Sequence, residues 1–182
     1  MRSDLHSACA VALPEESRIA SLFAGSDLAD SFAIALPSTA TRDVLALSRS
    51  ALGHPAPWVS ALLAIRDAIV RPFGVKTTGR LRAAAVPGTE DRIDIFRIHS
   101  VSEGEVIVGE DDRHLDFRAS ILLRQRPNLP DELIVTTVVH CHNLLGRAYL
   151  AIILPFHRVI ARSMLDRAAQ RGWPAISSPV PR

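Results

Sequence analysis

A chain of 182 residues, 48% apolar and 22% charged, has the size and usage of a single globular domain able to bury a core. Its 21 basic residues stand against 19 acidic ones, a near balance that supplies no strong field to gather nucleic acid or anionic lipid. Two cysteines are too few for a disulfide framework, and the longest apolar run, "AYLAIILPF", is far shorter than the roughly 20 residues that span a bilayer.

The N-terminal stretch "MRSDLHSACAVALPEESR" has an apolar run broken by Pro14 and followed at once by charges, too short for a secretory core. Lys76 is the only lysine, an arginine skew that genome composition explains more cheaply than phosphate recognition. The expectation is a soluble cytoplasmic protein without nucleic-acid partner or membrane insertion, with a homodimer left open. Residues 1–22 read as a weakly structured arm, 23–171 as the domain and 172–182 as a flexible tail.

In chain order, "SFAIALP" alternates Phe32, Ile34 and Leu36 with small residues and predicts a short strand stopped by Pro37. "STATRDVLALSRSALG" predicts a short helix with hydroxyl residues available as caps, Asp43 in the first turn and Gly53 as terminator. "PWVSALLAIRDAIVRPFG" predicts a second helix, with Trp58, Leu62, Ile65 and Ile69 on one face and Pro72 ending it. Residues 75–92 read as loop with a candidate edge strand.

Strand signals then follow in series. "IDIFRIHSV" and "GEVIVGED" flank Glu103 and Gly104 as a hairpin, Gly104 being assigned the special backbone angles. "RHLDFRASILLRQ" and "ELIVTTVVHCHN" flank a longer turn, "RPNLPD". After Asn143, a good helix cap, the apolar period changes to three and four: Leu145, Tyr149, Ile152, Phe156, Ile160 and Met164 form one expected inward stripe. A helix over 146–171 runs on the order of 39 Å at 1.5 Å per residue, with Pro155 inside it. Strand, two helices, an antiparallel meander and a long helix make an α+β order.

"GEDDRHLDFR", "HNLLGRAYLAIILPFHR" and "PWVSALLAIRDAIVRPFG" resemble the bacterial family known as domain of unknown function 2867, over about 23–168. That family in turn looks like a relative of the helix-grip, START-like or Bet v 1-like proteins. The resemblance implies a curved sheet wrapped on a long C-terminal helix around a cavity, and no particular activity. The strands read here fall short of the usual seven.

Alternation places Leu115, Phe117, Ala119, Ile121 and Leu123 on one side of their strand and His114, Asp116, Arg118 and Ser120 on the other. In the following strand Leu133, Val135, Thr137, Val139 and Cys141 oppose Thr136, His140 and His142. If the apolar sets align, His114, Asp116, Arg118, His140 and His142 form one cross-strand patch. This patch is a solvated outer face, or it lines a cavity in which Asp116 orients His140 and Arg118 holds an anion. A metal site on His140 and His142 requires a third donor; His114 or Asp116 is available, but no spacing demands either, and neither metal nor cofactor is expected. His157 and Arg158 are read as donors to the carbonyl that Pro155 frees.

The main expectation is a helix-grip-like α+β domain holding a small apolar or amphipathic molecule between sheet and helix. Its candidate ligand contacts are Trp58, Phe117, Arg118, Tyr149, Ile152 and Phe156. An enzyme of the same fold, of cyclase, isomerase or hydrolase type, would use His140 or His142 with Asp116 as orienter. A solid structural or protein-binding module is the third reading.

Overall fold

Seven strands alternate in and out of one sheet, and the computed structural model describes them within residues 7–59, 61, 64, 67 and 92–176. The strands are β1 (Cys9–Ala10), β2 (Leu28–Ala35), β3 (Arg92–Ile93), β4 (Phe96–Val101), β5 (Glu105–Asp111), β6 (Leu115–Arg124) and β7 (Glu132–Cys141). Among the described residues the helices with both ends placed are α1 (Val44–Leu52) and α2 (Leu144–Arg171), with a 3-10 turn at Ala20–Leu22; residues 57–59, 61, 64 and 67 are helical too. The sheet is antiparallel, curved and unclosed, in the order β1-β2-β7-β6-β5-β4-β3. Strands β4 to β7 form the expected meander, extended by the short β3, and the whole of β2 pairs with residues 132–139 of β7. The second predicted helix lies largely outside the described residues, and Leu62, Ile65 and Ile69 with it.

Local chemistry explains the boundaries, with some exchanges of role. Asp43, expected in the first turn of α1, is its cap: Oδ1 accepts from the backbone N–H of Leu45 and Ala46 at 2.9 and 3.1 Å. Gly53 closes that helix as expected. In the β4–β5 hairpin the Ser102 N–H donates to the Glu105 carbonyl at 2.9 Å. Gly104 is not among the described glycines with positive φ, so the turn does not use the angles assigned to it. Asn128 does take the left-handed region, φ 60°, in the turn between β6 and β7, as asparagine can.

Asn143 caps α2, its Oδ1 accepting from Gly146 N–H at 3.0 Å. A side chain at Gly146 would collide with the His114 carbonyl oxygen, so the first turn sits directly on the strand end. The inward face of α2 follows the predicted stripe only in part: Met164 packs on the core as expected. Gly146, Leu150, Leu165 and Ala168 are buried, whereas Ile152 and Phe156 are 54% and 49% exposed. The helix carries apolar residues on more than one side, and packing chose the side with small residues and Leu150.

The main core lies between α1, α2 and the helix-facing side of the sheet, around Leu47, Val106, Ile121, Leu133 and Leu165. The other side of the sheet is covered by the N-terminal arm. Ile19 packs on Ile107 and Val138, and Val11 packs near Leu122 and Ile134. From residue 7 onward this stretch, which has little pattern in sequence, contributes β1 and buries Ala8, Ser17 and Ile19.

Candidate functional site

The histidine, aspartate and arginine patch assembles, though with different pairings from those expected. Asp116 and His140 are direct cross-strand partners. The Asp116 carboxylate nevertheless meets His142, Nε2 to Oδ2 3.0 Å, while His140 donates from Nε2 to the Leu22 carbonyl at 3.1 Å. Arg118 turns to Asp111, Nη1 to Oδ1 2.5 Å, and to the Phe117 carbonyl. His114 meets the Asn143 side chain. Ser120 and Thr136 lie in register on the same side of these strands as Asp116, Arg118 and His140. That side faces away from α2, and at Asp116 and His142 it is open to solvent. Arg118 therefore cannot share an inner pocket with Phe117. Among the described residues no three His, Cys, Asp or Glu side chains group as metal ligands.

The remaining candidates fall in three places. Phe117 lies on the helix-facing side, in contact with the cluster of Leu28, Val139 and Leu150. Its ring meets Phe96 edge to face, centroids 5.9 Å apart and planes at 78°. Tyr149 is half-buried on the first turns of α2. Ile152 and Phe156 point away from the sheet, and Trp58 is half-exposed beside Val159 and Arg162 in an open cleft of about 440 Å³ along the C-terminal half of α2.

Sequence reasoning missed two paired carboxylates on the helix-facing side. Asp30 of β2 stands in the apolar alternation Leu28, Asp30, Phe32, Ile34. Its Oδ1 meets His157 Nε2 at 3.0 Å and its Oδ2 lies 3.8 Å from Arg158 Nε. His157 thus ties α2 to β2 and does not serve the carbonyl freed by Pro155. Likewise Glu110 follows Val106 and Val108 on the inner side of β5, opposite Phe117, with Arg92 Nη2 at 3.8 Å. A carboxylate inside an apolar stripe is the signal that would have found both, because removing a charge from water requires a partner.

A third acid is buried on the outer side. Glu105 is 2% exposed and accepts from the Ser17 hydroxyl at 2.6 Å, from the Ser120 hydroxyl and from the Arg18 N–H at 2.9 Å. Beside it Ser31 and Thr136 hydroxyls bond at 2.7 Å. Cys9 and Cys141 are free, and burial followed by the nearby Asp27 carboxylate pushes the Cys141 thiol up, away from the reactive thiolate form.

These features define an α+β domain: a curved antiparallel sheet backed by one long C-terminal helix, with acids in its apolar face paired to histidine and arginine. The chain belongs to the DUF2867 family, described as a protein of unknown function, whose family model matches residues 22–164. No curated protein and no solved structure matches it. The further likeness to helix-grip proteins has no counterpart in these comparisons.

Proposed function

We propose that the domain binds a small amphipathic molecule against the helix-facing side of the sheet, at the end bearing Phe96, Phe117 and Arg92. The supporting observation is a contrast within that side. Around Ile121, Leu133, Leu47 and Leu165 it is a closed core. Toward the start of β6 the inward residues Leu115 and Phe117, with Cys141 and Phe96 beside them, are only half-buried. Two aromatic rings beside an arginine and a glutamate offer an apolar surface with a few oriented polar groups, the chemistry of a small-molecule site. The two free cysteines support a reducing, cytoplasmic setting.

Native mass spectrometry of the untagged chain, with titration of a fluorescent fatty acid, tests this reading. The expected result is a retained small molecule or saturable uptake, weakened by Phe117→Ala, with Arg92→Gln weakening the acid more than the matching alcohol. A bare chain mass with no uptake overturns it. The enzymatic alternative retains one observation, Asp116 holding His142 at an exposed strand end, and its substrate would sit on the outer side. Asp116→Asn therefore leaves uptake unchanged under the present reading, and its loss would move the site to that face.

A further inference from the structure

The outward side of α2 is apolar from Leu144 to Val159. Leu144, Ile152, Phe156 and Val159 are exposed large hydrophobics, and Ala148, Ala151 and Pro155 between them are exposed too. At 3.6 residues per turn these fall in one stripe, Arg147 and Arg158 fall along one edge of it, and Arg162 lies on the stripe itself, in line with Leu144. Residues 144–165 contain no aspartate or glutamate. Trp58 stands at the far end of this surface, with Val159 in a cleft otherwise lined by polar residues, Arg162, Asp166 and Arg167 among them.

The arginines are anchored on their inner side and open on the other. Arg147 Nε lies 3.4 Å from Asp27 and Arg158 Nε 3.8 Å from Asp30, yet their side chains remain 64% and 60% exposed. Arg162 donates to the Ala8 carbonyl. The helix has the length and composition to cross a bilayer. Its inner side rules that out in this fold, since Asp30–His157 and the close seat of Gly146 hold it along the sheet.

We infer that this face docks on an anionic membrane surface, α2 lying in the interfacial plane with its apolar stripe in the headgroup boundary and its arginine edge on lipid phosphates. An apolar stripe with a cationic edge and an interfacial tryptophan is the pattern of helices that lie on membranes. Charge selects this occupant over a second copy. An isologous dimer presents the same strip to itself: Arg147 and Arg158 already lie beside Asp27 and Asp30 of their own copy, and residues 144–165 hold no acid to answer the other copy's arginines. The inference stands independently of the ligand reading, which concerns the opposite side of α2.

Cosedimentation of the full chain with phosphatidylcholine vesicles, with and without phosphatidylserine, tests it. The expected result is binding to the anionic vesicles only, reversed by salt and abolished by a paired Ile152→Glu and Phe156→Glu variant. Single Arg147→Gln or Arg158→Gln changes weaken it about fivefold each. Both glutamates replace exposed residues, and an unchanged circular dichroism spectrum and melting temperature verify the fold. Binding to neither vesicle, or equally to both, overturns the proposal. So does concentration-dependent dimerisation, by sedimentation velocity, that the paired variant abolishes in the absence of lipid binding.

Discussion

The two sides of the sheet are closed by different chemistry. The helix-facing side is sealed by apolar contact, Ile121, Leu133 and Val106 against Leu47 and Leu165. The outer side is covered by the N-terminal arm over the part away from Asp116 and His142, and beneath the arm is a buried acid: Glu105 gathers Ser17, Ser120 and the Arg18 N–H, with Ser31 and Thr136 alongside. Apolar burial is proportional to area and tolerates approximate shape, whereas a buried acid demands each donor in place. The outer side therefore specifies where the arm sits, and the inner side supplies most of the cohesion.

The largest effect should come from the inner side. Leu133→Ala leaves a cavity in a fully buried position and is expected to cost about 2–5 kcal/mol by urea denaturation. A loss under about 1 kcal/mol would mean that this side is not close-packed. Next, Glu105→Ala strands two hydroxyls and an N–H, for an expected loss of about 1–3 kcal/mol. Limited proteolysis should then cut within residues 7–23 while the sheet stays intact. Equal protection of the arm in variant and parent would break the comparison, because it would show the arm held by Ile19 and Val11 alone.

The smallest effect belongs to the strand ends, which neither side covers. The Cys141 backbone N–H, 2.7 Å away, holds the Asp27 carboxyl below its ordinary value, and Arg147 adds to this. A depressed folded pKa stabilises above the unfolded value, about 4, and that contribution is lost as pH falls through the folded pKa. Asp27→Asn is therefore expected to flatten the acid limb of a melting temperature profile and to leave the profile shape above about pH 5 unchanged. An unaltered acid limb would show that Asp27 is not bound to Cys141 in solution.

Much of the sheet was legible because strand alternation is a local property. The apolar sets of β6 and β7 meet as expected, Ile121 opposite Val135 and Leu123 opposite Leu133. Asn143 and Gly146 were legible as a cap and a close approach for the same reason. The candidate site was less so. Asp116 meets His142, one of the two histidines named with it, while its direct partner His140 turns to Leu22, since a carboxylate also reaches the diagonal neighbour on the facing strand. Trp58, Phe117 and Phe156 share no pocket, because one lies on the sheet and the others along the outer side of α2.

Chain chemistry alone determined the succession of the five longer strands, β2 and β4 to β7, the start of α2 at its asparagine cap and the family to which the protein belongs. Which side of α2 faces inward was decided only by tertiary packing. Leu150 and Ile153 compete with Ile152 and Phe156 on nearly equal hydrophobicity, and the contact with β2 and β7, fastened by Asp30 and His157, chose between them. The same holds for Glu105, whose partner Ser17 lies 88 residues away in a stretch without pattern. Local periodicity records which residues are apolar together; it cannot record which distant surface arrives to cover them.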